Sequence, residues 1–171
     1  CALPILDDLK LPINDKKSAH VIEIMPHHIT TTHLVEDVPS QEGLFVADKT
    51  YAKIVVAERY HNLGHGVGII KGFQMTDGAI ASTIAHDSHN IIIAGTNDED
   101  MLLAANKLRE IGGGEVVVNN GQITTLPLAI GGLMSEQSYT TVIQENNTLQ
   151  AAFSKISHLN FDPFLTLSFM A

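Results

Sequence analysis

Four polar residues, His86-Asp87-Ser88-His89, interrupt two apolar runs, 78–85 before them and 91–94 after them. Short apolar runs bounded by such a break are read as buried strands. The run 79–85 is the less certain of the two in type. Its alanines permit helix, but the alternation Ile80, Ser82, Ile84 favours strand. The run 90–95 has the composition of a fully buried strand. Two imidazoles and a carboxylate at the junction of buried strands are costly unless each is paired or used.

The rest of the chain extends this pattern. Residues 1–18 mix prolines, acids and lysines and read as a linker or extended segment, with one domain over 19–171. Strands are expected at 19–24, 52–59 and 67–75. Residues 26–33 are rich in β-branched types and either extend or turn. The glycine-rich stretch 61–66 and Thr76-Asp77-Gly78 are turns. The clearest helix covers 98–111, where Met101, Ala104, Ala105, Leu108 and Ile111 share a face. Thr96 and Glu99 form a candidate capping box, and Gly112-Gly113-Gly114 stops the helix. A hairpin follows, 115–118 and 122–126 about Asn119-Asn120-Gly121. Residues 128–134 form a loop, and a second helix is expected over 136–157. The fold class is α+β: a largely antiparallel β-sheet covered by two or more helices.

Composition narrows the function. Hydrophobic residues make up 44% and charged residues 17%, which argues against disorder. A chain of this size buries roughly 70% of its unfolded surface, enough for a real core. The net charge of −9 and scattered Lys and Arg speak against a nucleic-acid partner. No apolar run approaches the ~20 residues of a membrane span, and the start lacks a secretion signal. One cysteine permits no internal disulfide, as suits a reducing cytoplasm. Residue 1 is Cys, and the chain stops in the apolar segment Phe164 to Ala171. Both features are read as a piece cut from a longer polypeptide.

His86 and His89 have His-x-x-His spacing, so a bend could bring both imidazoles to one metal with Asp87 as third or outer ligand. No second ligand pair at a recognised spacing accompanies them. Two other readings compete: Asp87 and Ser88 cap a turn while the imidazoles bond backbone, or the cluster faces a pocket and completes a site built elsewhere. His61 and His65 flank the glycine turn, which lacks the Lys-Ser/Thr ending of a phosphate loop and reads as a hairpin loop. His27, His28 and His33 read as surface or edge residues. An N-terminal cysteine such as Cys1 can act as a nucleophile with its own amine as base. No base or oxyanion partner for it is identifiable in the sequence.

The run Lys71-Gly-Phe-Gln-Met-Thr-Asp-Gly-Ala-Ile-Ala-Ser-Thr-Ile-Ala-His-Asp-Ser-His-Asn90 resembles the signature of the C-terminal domain of microbial adenine deaminases. The likeness continues through Gly95 to Met101, Ala104-Ala105, Ile111 to Gly114 and Leu126 to Ser135, and spans about 20–171. Residues 136–160 depart most, carrying Thr140-Thr141 and Asn146-Asn147.

The resemblance implies an amidohydrolase of purine salvage and adenine catabolism. It hydrolyses adenine to hypoxanthine and ammonia with a metal-activated water. It further implies an upstream metal-bearing (β/α)8 barrel against which this domain packs, with a divalent metal (manganese or iron) whose main ligands lie upstream. None of those ligands maps onto this chain. The partners expected are that barrel, adenine and further copies of the same chain, in the cytoplasm. His86, Asp87, Ser88 and His89 are the substrate-proximal candidates. His86 and His89 are the weak metal candidates. The isolated chain is expected to hold no metal tightly and to be inactive on adenine. The alternatives are a purely structural or oligomerisation module, and a hydrolase using Cys1.

Overall fold

The computed structural model describes residues 3–13, 18–61 and 63–170. Cys1 lies outside the described residues, and so does any role for its thiol.

Among the described residues, ten strands and three α-helices follow one another. After a 3-10 turn at Leu6–Leu9 come β1 (Ser18–Ile24), β2 (Thr31–Asp37), β3 (Ser40–Gln41) and β4 (Leu44–Phe45). Then follow β5 (Tyr51–Ala57), β6 (His65–Lys71), β7 (Ala79–Ser82) and β8 (Ile91–Gly95). Helix α1 (Asp98–Glu110), β9 (Gly114–Asn119), β10 (Gln122–Pro127), α2 (Tyr139–Phe153) and α3 (Pro163–Leu167) complete the order. Eight strands form one sheet in the order β10-β9-β7-β8-β5-β6-β1-β2, and β3 and β4 form a small separate ribbon. Every neighbouring pair is antiparallel except β1 with β6, which run parallel. The α+β, antiparallel-dominated architecture is therefore the expected one.

Helices cover both faces, which is why the central strands are mostly apolar. Every residue of β7 and of β8 is buried. On one face, Met101, Ala104, Ala105 and Leu108 of α1 pack on Val55, Ala81, Ile93 and Val116, with Leu9 of the 3-10 turn joining them. On the other, Leu149 and Phe153 of α2 and Phe164 and Leu167 of α3 pack on Ile54, Ile80, Ile92 and Val117.

Several elements differ from the sequence reading. The cap of α1 is Asn97, whose side chain accepts from the Asp100 N–H, and not Thr96 with Glu99. Thr96 is engaged elsewhere: both its N–H and its hydroxyl donate to the Gly78 carbonyl. Helix α2 is shorter than 136–157. It starts after Ser138, whose Oγ accepts from the Thr141 N–H, and it ends at Phe153. The strand expected over 67–75 starts earlier, at His65, and stops at Lys71. The stretch 26–33 resolves into a turn followed by β2. The segment 79–85 is a strand only as far as Ser82. Helix α3 had no counterpart in the sequence reading. It is started by Asp162, which accepts from the Phe164 and Leu165 N–H groups, with Pro163 in the first turn where its missing N–H costs nothing.

Candidate functional site

The antiparallel order gathers six strand ends at one edge of the sheet. The C-terminal ends of β5, β7 and β10 lie there with the N-terminal ends of β6, β8 and β9. The 86–89 loop joins β7 to β8 at this edge. Around it stand the 58–64 loop, the glycine turn 112–114 and the 128–134 loop.

The 86–89 loop is anchored chiefly by its backbone. The His86 N–H donates to the Ser168 carbonyl (2.7 Å), the His89 N–H to the Ala85 carbonyl (2.9 Å) and the Ser88 N–H to the His86 carbonyl (2.8 Å). The Ser88 hydroxyl accepts from the Asn90 N–H (3.3 Å). So the turn-capping role falls to Ser88 alone. Asp87 points outward with its side chain 93% exposed, and His86 is 58% exposed. Nδ1 of His86 lies 3.3 Å from Oδ2 of Asp87, and its ring stacks on Phe169 at 4.9 Å. The half-buried His89 ring makes no hydrogen bond to a described residue.

Two members of this loop have left-handed backbones: Asp87 at φ +65° and His89 at φ +53°. Non-glycine residues pay of order 1 kcal/mol or more for that region. Such strain is held where surrounding contacts over-determine it. Here they leave the Asp87 carboxylate and the His86 imidazole exposed. The loop does not close into a metal site of its own, since among the described residues no three His, Cys, Asp or Glu side chains come together to hold an ion. What it can do is offer hydrogen-bonding and proton-carrying groups to something beyond this chain.

The edge around the loop is stitched by polar contacts that sequence reading missed. The Thr83 hydroxyl donates to the Gly132 carbonyl (2.6 Å) and accepts from the Gly114 N–H (2.8 Å). A guanidinium nitrogen of Arg59 donates to the Gly131 carbonyl. Gly132 has a left-handed backbone at φ +72°, where a side chain would be strained, and a Cβ there would lie 2.6 Å from that guanidinium. Burial pushes the Glu58 carboxyl up, but the N–H groups of Tyr60, His61 and Leu63 outweigh it and hold its pKa down to about 2. His61 adds to this, with Nδ1 3.5 Å from the carboxylate. His65 sits 3.9 Å from Asp8. The three remaining histidines of the sequence reading lie elsewhere. His27 and His28 are exposed, and His33 meets His20 at 2.7 Å across β1 and β2.

One further group stands out. Glu115, the second residue of β9, is 8% exposed and makes no side-chain hydrogen bond to a described residue. Burial raises its pKa to about 7, and the nearby Asp162 carboxylate adds to the rise. The signal was available in the sequence: a glutamate heads the apolar run Glu115-Val-Val-Val118, in phase with Val117, which faces α2 and α3.

A sequence model of the adenine deaminase C-terminal domain matches residues 28–171. The chain belongs to that family. It is 98% identical over 166 residues to an adenine deaminase of Leuconostoc citreum, covering 97% of this chain and 30% of that protein. It is 71% identical over 164 residues to the adenine deaminase of Leuconostoc mesenteroides, covering 96% of this chain and 30% of that one. It is 60% identical over 169 residues to adenine deaminase 1 of Oenococcus oeni, with 97% and 30% covered. The chain thus spans about 30% of the length of the curated relatives it matches. Among the described residues no helix is long and apolar enough to cross a membrane.

Proposed function

We propose that this chain works as the C-terminal domain of an adenine deaminase, hydrolysing adenine to hypoxanthine and ammonia. In this reading the 86–89 loop completes a site whose remaining parts lie on the preceding polypeptide. The observation that carries the proposal is the outward strain of that loop. Asp87 and His89 hold left-handed backbones while a carboxylate and an imidazole stand exposed beside them. Exposed apolar side chains at the same edge support contact with a further surface: Leu63 (80% exposed), Met134 (58%), Tyr60 and Ile130.

Bound by ligands on the preceding barrel, a divalent metal, manganese or iron, would supply the activated water. Its donors are not assembled on the described residues of this chain. His86 and His89 orient substrate or the metal's outer ligands, and Asp87 fixes His86 through Nδ1. The 171 residues alone are expected to be inactive on adenine. The same reading carries a cytoplasmic, homo-oligomeric enzyme of purine salvage.

The test is His89→Ala in the full-length protein. We expect kcat/KM for adenine to fall tenfold or more while the melting temperature stays within a degree or two. Kinetics close to wild type would remove the loop from the site. The family's architectural alternative predicts the reverse, with lower melting temperature or altered assembly and per-molecule activity kept.

A further inference from the structure

The chain has 19 acidic residues and two arginines, Arg59 and Arg109. The fold brings both arginines to one cavity of about 190 Å³ at the sheet edge. Arg59 follows β5, and Arg109 sits in the last turn of α1. Thr83, the buried Ile91 and Leu108, and the glycine turn at 112–113 complete the wall.

Neither guanidinium pairs with a carboxylate among the described residues. Glu58, next to Arg59 in the sequence, accepts from the N–H groups of Tyr60, His61 and Leu63. Arg59 meets neutral groups: Nη2 donates to the Gly131 carbonyl, and the head lies 5.1 Å from the centre of the Tyr60 ring. Its Nη1 is buried and has no hydrogen-bond partner among the described residues. Arg109 donates from Nη2 to the side-chain oxygen of Asn106 (2.9 Å), which is also neutral. A cation suits the last turn of a helix, but the dipole there supplies only about half a countercharge. A guanidinium stays charged at every working pH, and a buried donor without an acceptor is destabilising. Two such cations around one small cavity make it a place for an anion.

We propose that this cavity is a carboxylate site, in which Arg59 and Arg109 together receive a small acid with a short apolar stem. The planar guanidinium fork matches a carboxylate with paired hydrogen bonds. Ile91 and Leu108 suit the stem. A tetrahedral oxyanion such as phosphate would call on the N–H groups of the glycine turn, and these are engaged. The Gly112 N–H donates to the Arg109 carbonyl (3.3 Å), the Gly113 N–H to the Leu108 carbonyl (2.8 Å) and the Gly114 N–H to the Thr83 hydroxyl (2.8 Å). The Thr83 hydroxyl is engaged as well, donating to the Gly132 carbonyl. The volume falls below the roughly 300 Å³ at which pockets for larger ligands begin, so the acid is small. Two sources supply such a group: an Asp or Glu side chain of the polypeptide that precedes this domain, or a free acid the size of acetate.

Melting of the full-length protein in acetate and in chloride at equal ionic strength separates the sources, with acetamide as the uncharged control of the same shape. A free acid predicts that acetate raises the melting temperature by about 2 °C or more over chloride, that acetamide does not, and that Arg59→Gln and Arg109→Gln each abolish the rise. An acid of the protein's own predicts no response to acetate. A crystal structure of the full-length protein then shows an Asp or Glu oxygen within about 3.2 Å of both guanidiniums. The proposal is overturned if acetate has no effect and that structure has no carboxylate between the arginines. It is overturned too if the acetate response survives in the glutamine variants or is matched by acetamide. If Arg59→Gln does not fold, the exposed Arg109→Gln decides alone. The proposal does not depend on the reading of the 86–89 loop, since His89→Ala leaves both arginines in place.

Discussion

Asp100 and Glu115 are both buried carboxylates flanking the same sheet, at opposite edges, and the chain treats them in opposite ways. Asp100 is 6% exposed and fully engaged. Its oxygens accept from the Asn120 N–H (3.1 Å), the Gly121 N–H (3.0 Å) and the Asn97 amide (3.3 Å), and Asn97 caps α1 in return. The Asn97 amide also donates to Asp77 (2.9 Å), which tightens the turn into β7. One edge is thus a closed network that ties helix to hairpin. The other edge has a carboxyl with no hydrogen-bond partner among the described residues, an exposed imidazole at His86 and left-handed backbone at Asp87 and His89. Satisfied polar groups mark where the fold is held, and unsatisfied or strained ones mark where it is offered outward.

The largest effect should come from the closed edge. Asp100→Ala leaves two backbone N–H groups of the β9–β10 turn and the Asn97 amide short of an acceptor. Hydrogen bonds to a charged group contribute about 1.5–3 kcal/mol each, and bonds sharing one carboxylate do not add fully. A loss of roughly 4 kcal/mol in urea-unfolding stability is expected. A loss below about 1 kcal/mol would mean that the network is not what fastens α1 to the hairpin.

The next effect belongs to Glu115 and appears as pH dependence. Its folded pKa of about 7 stands above the ordinary value of 4.5, so the native chain holds this proton more tightly than the unfolded one. The contribution to stability is whole below pH 4.5 and is lost as pH rises through 7. The shift corresponds to roughly 3 kcal/mol. Glu58 has the opposite sign. Its pKa, lowered to about 2, stabilises the chain above pH 4.5, and that support disappears as the medium is acidified through 2. Unfolding free energies of wild type and Glu115→Gln should therefore agree near pH 4.5 and separate above 7, with the variant the more stable. Parallel curves would show that Glu115 is not strained by its burial.

The two edges also differ in how far the sequence revealed them. The polar break His86 to His89 between apolar runs was visible because burial on both faces leaves the central strands with few polar residues. The Asn-Gly hairpin was visible because that turn needs left-handed residues at fixed places. The cap of α1 was misplaced by one residue, since Thr96 and Asn97 are both good caps and only the tertiary bond of Thr96 to Gly78 decides between them. Helix α3 was missed because five residues show no helical period, and its start depends on Asp162 and Pro163 together. The parallel pairing of β1 with β6 is a long-range choice that no local pattern carries. Glu115 was passed over as a strand's first residue, although its phase with Val117 places it on a covered face. The metal centre and the adenine site were expected only through resemblance.

The smallest effect sharpens the contrast by its sign. At Asp87 the side chain is 93% exposed and makes no contact beyond the 3.3 Å approach to His86, while its φ is +65°. Replacing it with glycine removes the left-handed penalty at the expense of some unfolded-state entropy. The net result should be a gain of about 0.5 kcal/mol in stability. If the proposed role of the 86–89 loop holds, the same change removes a working carboxylate, and full-length Asp87→Gly should be slower on adenine while melting no earlier than wild type. At the opposite edge Asn120 is also left-handed, at φ +48°, in a turn whose N–H is held by Asp100. Asn120→Gly should likewise stabilise slightly, but with turnover unchanged. If the two glycine variants behave alike in kinetics, the strain at Asp87 serves the turn alone, and the functional distinction between the edges fails.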